Sequence, residues 1–149
     1  MKLINRLFAT ILLVATLTMA GCEKPAPLPS EERIPVTYAA LDGCWQLTMW
    51  QGATIAEDTY LYIVFDRSAH TYVMWDNIDS MYATDTTGTF VITEEEDGTY
   101  TLSGMYDYGI GDWSNDYSVT LSDGGNTMQW RAASTTMDFV RIEALPEFN

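Results

Sequence analysis

An all-β domain, closed as an antiparallel up-and-down β-barrel of eight or nine short strands, is the fold class that the sequence predicts. Three observations support this prediction. Short runs rich in Tyr, Trp, Val, Ile and Thr alternate with turn signals of Gly, Asp and Asn. No stretch of the domain has a convincing 3.6-residue periodicity. Most connections are short, and a sequential meander of this kind loses its exposed edges when it closes into a barrel.

Nine segments carry the alternation that is typical of half-buried strands. In order along the chain, they are 44–51, 59–66, 71–76, 80–85, 89–94, 99–105, 117–122, 127–132 and 136–143. In the first segment, Trp45, Leu47 and Met49 share the inner face, and 80–85 is the weakest of the nine. A β-sandwich is the alternative architecture. It usually needs longer crossing loops, and here only 51–58 and 106–116 are long.

Composition excludes several classes of function. The chain has 149 residues, which suits one domain, and its 21 acidic and 7 basic residues give a net charge of −14. A surface this acidic repels phosphate groups, so nucleic-acid binding is not expected. Two cysteines and one histidine exclude a zinc ribbon and most Ser–His–Asp enzymes. We therefore predict no catalytic residues, no metal and no cofactor.

Residues 1–21 have the pattern of a signal peptide. Lys2 and Arg6 precede an apolar stretch, 7–18, which is shorter than the roughly 20 residues that span a bilayer. Met19-Ala20-Gly21-Cys22 resembles the bacterial lipobox, at which a signal peptidase cuts and the cysteine receives fatty acyl chains such as palmitate. Loss of Lys2 and Arg6 takes the net charge from −14 to −16. The sequence thus predicts a lipoprotein anchored to a membrane through Cys22.

The segment that follows predicts a tether and a destination. Residues 22–37 contain four of the five prolines, which favour an extended spacer of about 3 Å per residue. Glu23, not Asp, follows the lipidated cysteine, and this resembles the sorting signal for the outer membrane. We expect an envelope protein whose barrel domain, 38–149, stands off the membrane, on either its periplasmic or its surface face.

Three motifs in the barrel domain resemble those of lipocalins. Gly43-Cys44-Trp45 is similar to the Gly-x-Trp signature at the start of the first lipocalin strand, where the Trp covers the barrel floor. Arg141 is placed to pack over that Trp, and Asn115-Asp116-Tyr117 resembles the Thr-Asp-Tyr motif. The chain resembles the short lipocalin-like lipoproteins of Gram-negative bacteria. The resemblance implies a barrel-floor motif of Gly43, Trp45 and Arg141 and a non-catalytic protein that binds a small hydrophobic or amphipathic ligand.

Two outcomes for the barrel interior stay open. An eight-stranded barrel either fills itself with side chains or holds one small ligand, and a domain this short favours filling. A filled barrel predicts a structural or interaction subunit of an envelope complex, and a carbohydrate-binding protein is a third possibility. If a ligand binds at the mouth, alternation and loop position predict that it is lined by Met49, Trp75, Tyr108, Trp113, Met128 and Trp130.

The remaining polar residues are expected in structural or solvent-exposed positions. His70 is expected in an exposed turn, and Cys44 is expected to behave as a small hydrophobic residue. Three groups of acids lie at strand ends or in loops, namely 76–79, 94–97 and Asp107 with Asp112 and Asp116. A solvated rim is the favoured interpretation of these groups, with a Ca²⁺ site or a pair of catalytic carboxylates as the alternatives.

Lipidation gives the first testable prediction. Replacing Cys22→Ser removes the acceptor thiol, so we expect the protein to lose incorporation of labelled palmitate and to leave the membrane fraction. The check is metabolic labelling combined with fractionation of cells that express the full chain. Retention of label in the Cys22→Ser variant would contradict the assignment. Cys44→Ser is the matched control and is expected to keep both the label and the membrane association.

Overall fold

A computed structural model of the protein describes residues 33–78, 84–107 and 111–147. The described elements are a one-turn helix, α1 (Tyr38–Leu41), and the strands β1 (Gly43–Trp50), β2 (Ala53–Thr54), β3 (Leu61–Asp66), β4 (Thr71–Asp76), β5 (Thr84–Glu94), β6 (Tyr100–Tyr106), β7 (Gly111–Asp112), β8 (Tyr117–Ser122), β9 (Thr127–Ala132) and β10 (Thr135–Ile142). A 3₁₀ turn at Asp123–Gly125 joins β8 to β9. In the described part of the chain, no helix has the length and apolar composition needed to cross a bilayer.

The strands form one antiparallel sheet that closes on itself. The order is β10-β9-β8-β6-β5-β4-β3-β1, and β1 pairs with β10 through Cys44 to Ile142 and Trp45 to Arg141. Eight strands therefore make the barrel, while the two-residue strands β2 and β7 pair with β1 and β6. The predicted all-β, up-and-down barrel is confirmed. Closure leaves no long free edge among the eight strands.

One strand boundary was predicted wrongly. The segments 80–85 and 89–94 are not two strands, because β5 runs without a break from Thr84 to Glu94; residues 79–83 lie outside the described part of the chain. Gly88, which lies between the two predicted segments, is inside the strand. A Cβ atom at Gly88 would lie 1.9 Å from the carbonyl oxygen of Met105 and 2.7 Å from the hydroxyl of Tyr72. The glycine permits a close approach of backbone and side chain rather than a reversal of the chain.

A β-bulge changes the inner face of β1. Leu47 pairs with Phe139 and Met49 pairs with Asp138, so Thr48 is an extra residue in β1. The alternation shifts by one after the bulge, and Trp50 packs against the core in the place that the sequence pattern assigned to Met49. The prediction that Met49 lines the barrel mouth is therefore wrong.

The closed end of the barrel consists of α1 and the residues around Trp45. Hydrogen bonds to backbone carbonyls and one guanidinium stabilise it. The indole Nε1 of Trp45 donates to the carbonyl of Leu41 at 2.8 Å, and Trp45 is fully buried. The Arg141 guanidinium lies 4.2 Å from the centroid of the Trp45 ring. It donates to the carbonyls of Asp42 at 2.6 Å and Ala40 at 2.7 Å, so it fixes the end of α1 to β10.

Gly43 fits this closed end for two reasons. Its φ of +105° is a backbone conformation that favours glycine. A Cβ atom there would also lie 3.3 Å from Nη1 of Arg141. The structure thus brings the three residues of the expected barrel-floor motif, Gly43, Trp45 and Arg141, into one cluster.

The end of the predicted tether packs onto the barrel. Val36 is only 3% exposed, and Ile34 forms an antiparallel bridge with Leu121 at the closed end. Thr37 then caps α1, because its hydroxyl accepts a hydrogen bond from the backbone N–H of Ala40 at 3.1 Å. The chain therefore joins the barrel at the closed end, before the first strand begins.

The closed end gives a stability prediction. Replacing Arg141→Met removes the hydrogen bonds to the carbonyls of Asp42 and Ala40 and the contact with the Trp45 ring, and we expect a loss of about 2–4 kcal/mol in the free energy of unfolding. Arg131→Met is the matched control, because Arg131 is exposed and donates only to the Gln129 side chain. Its effect should stay within about 0.5 kcal/mol. Urea denaturation measures the free energy of unfolding of both variants. Equal losses in Arg141→Met and Arg131→Met would contradict the role of Arg141.

Candidate functional site

The interior of the barrel is solid from the closed end to its middle. Nine inward-facing side chains, from seven of the eight barrel strands, are at most 1% exposed, and they are Trp45, Leu47, Ile63, Phe65, Tyr72, Phe90, Leu102, Met128 and Phe139. Aromatic rings touch one another along this column, with centroids 4.8 Å apart for Phe65 and Phe90. A ligand therefore has no room in the lower part of the barrel, and any site inside the barrel must lie nearer the mouth.

Trp113 closes the top of this packed column. It follows β7 in the chain, and its backbone N–H donates to the carbonyl of Gly104 at 2.8 Å. Its side chain points into the barrel, is 8% exposed, and donates from Nε1 to the hydroxyl of Tyr72 at 2.7 Å. A Cβ atom at Gly104 would lie 2.1–2.5 Å from the indole atoms. The indole thus occupies the space that a side chain at position 104 would need.

Trp113 is part of an aromatic group that faces the mouth. Its ring centroid lies 5.3 Å from that of Trp130 and 6.1 Å from that of Tyr117. Trp130 also packs against Tyr117 at 5.1 Å and Phe139 at 5.0 Å. These separations are those of favourable aromatic pairs, so the rings support one another and form a rigid floor.

Above this floor lies the mouth cleft, with a volume of about 320 Å³. It is at the end of the barrel opposite to Trp45. Its apolar and aromatic lining residues are Trp50, Leu61, Met74, Ile78, Tyr106, Trp113, Tyr117, Trp130 and Met137. Its polar lining residues are Asp76, Ser114, Asn115 and Thr135. Apolar and aromatic residues outnumber polar ones in this lining, and a combination of apolar walls with a few polar groups is compatible with a small-molecule site.

The predicted ligand-binding residues lie in different parts of the structure. Trp113 and Trp130 line the mouth cleft. Met128 lies below it, fully packed, where its sulfur accepts a hydrogen bond from Nε1 of Trp130 at 3.1 Å. Tyr108 lies outside the described residues.

Trp75 is on the outer face of the barrel, so the prediction that it lines the mouth is wrong. It pairs with Tyr62 across β3 and β4, and the inward residues of β4 are Tyr72 and Met74. Since side chains alternate along a strand, a residue three positions after the buried Tyr72 faces the other way. Alternation counted from Tyr72 would have identified Met74, two positions later, as an inward-facing residue.

Sequence reasoning also missed the cleft residues at strand ends. Trp50 reaches the cleft only because the bulge at Thr48 turns it inward. Leu61 and Thr135 begin β3 and β10, and Tyr106 ends β6. The alternation pattern is short at such positions, so it does not distinguish the two faces well.

Two tyrosines near the cleft stay protonated at neutral pH. Burial raises the pKa of Tyr72 above its usual value of 10.0, although the hydrogen bond from Trp113 lowers it in part. Burial also raises the pKa of Tyr106, and the nearby Tyr117 and the charge of Asp76 raise it further. Neutral phenols contribute aromatic surface and hydrogen bonds, so these residues fit a binding role.

The histidine and the free cysteine of the described chain lie away from the cleft. His70 is exposed at the closed end, where its ring stacks on Tyr38 with centroids 3.7 Å apart. Cys44 is a half-buried free thiol. Within the described ranges, no three His, Cys, Asp or Glu side chains come close enough to hold a metal ion. In the 94–97 group, the carboxylate of Asp97 accepts hydrogen bonds from the backbone and hydroxyl of Thr99.

Comparisons with known proteins find little in common at the level of sequence. No protein-family profile matches the chain. No curated protein matches it. Among solved structures, it is similar to the crystal structure of a lipocalin-like protein from Bacteroides uniformis, with 14% sequence identity and a TM-score of 0.48. The match covers 69% of this chain and 99% of that chain. The fold assignment rests on the strand pairing and closure described above.

The contact between Trp113 and Gly104 gives a further stability prediction. Replacing Gly104→Ala places a methyl group against the indole, and we expect the free energy of unfolding to fall by about 1–3 kcal/mol. Near-ultraviolet circular dichroism should change as well, because Trp113 must leave its aromatic neighbours. Ser103→Ala, on the opposite face of β6, is the control and should change stability by less than about 0.5 kcal/mol. If Gly104→Ala behaves like this control, Trp113 is not packed inside the barrel.

Proposed function

We propose that this protein is a lipid-anchored, non-catalytic barrel that binds a small hydrophobic or amphipathic ligand in the mouth cleft. The observation that carries the proposal is the cleft of about 320 Å³ above the rings of Trp113 and Trp130. Ligand pockets in proteins usually measure about 300–1,000 Å³, so a cleft at the lower limit fits a small ligand. The solid column beneath it supports a ligand held at the mouth rather than deep inside the barrel.

The polar lining supports binding rather than catalysis. Among the described lining residues, Asp76 is the one carboxylate, whereas glycoside hydrolysis generally needs a pair. Ser114, Asn115 and Thr135 offer hydrogen-bond donors and acceptors. Such groups orient a ligand by its polar part while the rings hold the apolar part.

The anchoring part of the proposal rests on the sequence. The signal pattern and Cys22 favour a lipid anchor, and Glu23 favours the outer membrane. The described chain joins the barrel at its closed end, where Val36 and Ile34 pack.

Native mass spectrometry tests the ligand directly. Protein recovered from cells that express the full chain is incubated with a lipid and metabolite extract of those cells. We expect an adduct of about a few hundred daltons, the mass range of small ligands for such clefts. Thr135→Trp fills the cleft and should abolish the adduct. Thr120→Trp, at an exposed position on β8, is the matched control and should keep it. An adduct that survives Thr135→Trp would place the ligand elsewhere.

A second candidate function follows from the solid interior. A barrel filled from Trp45 to Trp113 needs no ligand for its stability and also suits an interaction subunit of an envelope complex. A clean mass with no adduct under all conditions of the same experiment would favour this candidate.

A further inference from the structure

The charges around the mouth cleft are distributed unevenly. Asp76 is the charged residue among the cleft's described lining. Further acidic residues stand around the same end of the barrel, in the loops or at the strand ends that form it, namely Glu57, Asp58, Asp85, Asp107, Asp112 and Asp116. Charges of one sign around a cleft with apolar walls concentrate their field at its opening, and here the field is negative.

The described cationic side chains do not compensate for this field. Arg33 and Arg141 lie at the closed end, and Arg67 is beside Asp42 at that end, with a nitrogen–oxygen distance of 3.7 Å. Arg131 is exposed on the outer face of β9 and donates to the side chain of Gln129 at 2.9 Å. In residues 33–78, 84–107 and 111–147, three arginines therefore lie at the closed end and there is no lysine. Arg131 is at the mouth end of β9, next to Trp130, but it points outward and is one positive charge against the seven acids named above.

The aromatic rings that line the cleft also favour a cationic ligand. Aromatic faces carry partial negative charge and attract cations within about 6 Å, with Trp the most effective. Trp50, Tyr106 and Tyr117 line the cleft and are half-buried, whereas Trp113 and Trp130 are 8% and 2% exposed. The first three rings are therefore the ones that can meet a cation there. The influence of Asp76 extends across the cleft, since its charge helps to raise the pKa of Tyr106. A carboxylate or phosphate group would meet repulsion from the acids and no compensating cation among the described lining residues.

We infer that the mouth cleft selects a small organic cation, an amine or quaternary ammonium compound with an aromatic or aliphatic group. The apolar part would lie on the floor of Trp113 and Trp130, and the cationic part would face Asp76. This inference rests on the proposed function and adds the ligand's charge to it. It disfavours free fatty acids and other anionic amphipaths as ligands.

Three matched probes test the inference, since tryptamine, tryptophol and indole-3-acetate share an indole and differ mainly in charge at neutral pH. Calorimetry uses the protein recovered from cells that express the full chain, held in phosphatidylcholine nanodiscs, with empty discs as the blank. We expect tryptamine to bind about tenfold more tightly than tryptophol, and indole-3-acetate to bind most weakly. The preference should shrink at high salt, because ions screen the acids around the mouth.

Two variants distinguish the effect of the Asp76 carboxylate on binding from the effect of the general negative charge. Asp76→Asn should bring the affinity for tryptamine to within about twofold of that for tryptophol, because the cation loses its facing carboxylate. Asp112→Asn changes the net charge equally but lies outside the cleft lining, and it should keep most of the preference. Equal loss in both variants would overturn the assignment of Asp76.

The outcomes also distinguish this inference from the proposed function. If tryptophol or indole-3-acetate binds as tightly as tryptamine, and Thr135→Trp abolishes this binding, the cleft binds ligands but the inferred charge preference is wrong. If none of the three probes binds and native mass spectrometry shows no adduct, both the inference and the proposed function fail.

Discussion

The contact between the Trp113 indole and the backbone of Gly104 determines how the barrel interior is divided. The inner faces of β5 and β6 contain Gly88 and Gly104, and glycines alone would leave a void in the middle of the barrel. Voids of this kind are costly, because the surrounding atoms lose their packing partners. Trp113 fills the space from outside the barrel strands and bonds to Tyr72 at 2.7 Å. Everything below it is packed, and the space above it remains as a cleft.

Local patterns in the sequence were sufficient for the fold and insufficient for the details of its interior. Alternation and turn residues predicted most strands. The expectation that Arg141 packs over Trp45 came from the resemblance of the motifs to those of lipocalins, and the two side chains do lie together at the closed end. Three features depended on contacts between distant residues, and alternation within single segments does not reveal them. They are the bulge at Thr48, the close packing at Gly88 and the insertion of Trp113. Trp75 was a different kind of error, since the buried Tyr72 already determined its direction.

The two ends of the barrel have opposite characters, and this separation is what supports a binding role. At the closed end, the guanidinium of Arg141 and the carbonyls of Ala40 and Asp42 satisfy one another, and the entering chain packs on the same end. The mouth instead has aromatic rings and carboxylates with no arginine among its described lining residues. The closed end is held by these hydrogen bonds and by packing, and the cleft is at the opposite end.

Solvent access to the five tryptophans tests the central claim, that Trp113 packs inside the barrel as the floor of the cleft. Protein labelled with 5-fluorotryptophan gives a fluorine spectrum whose signals are assigned with single Trp→Phe variants. A soluble gadolinium chelate then broadens the signals of accessible rings. The account predicts that Trp45, Trp113 and Trp130 are protected and that the half-buried Trp50 broadens more than any of them. A Trp113 signal that broadens as strongly as that of Trp50 would contradict it.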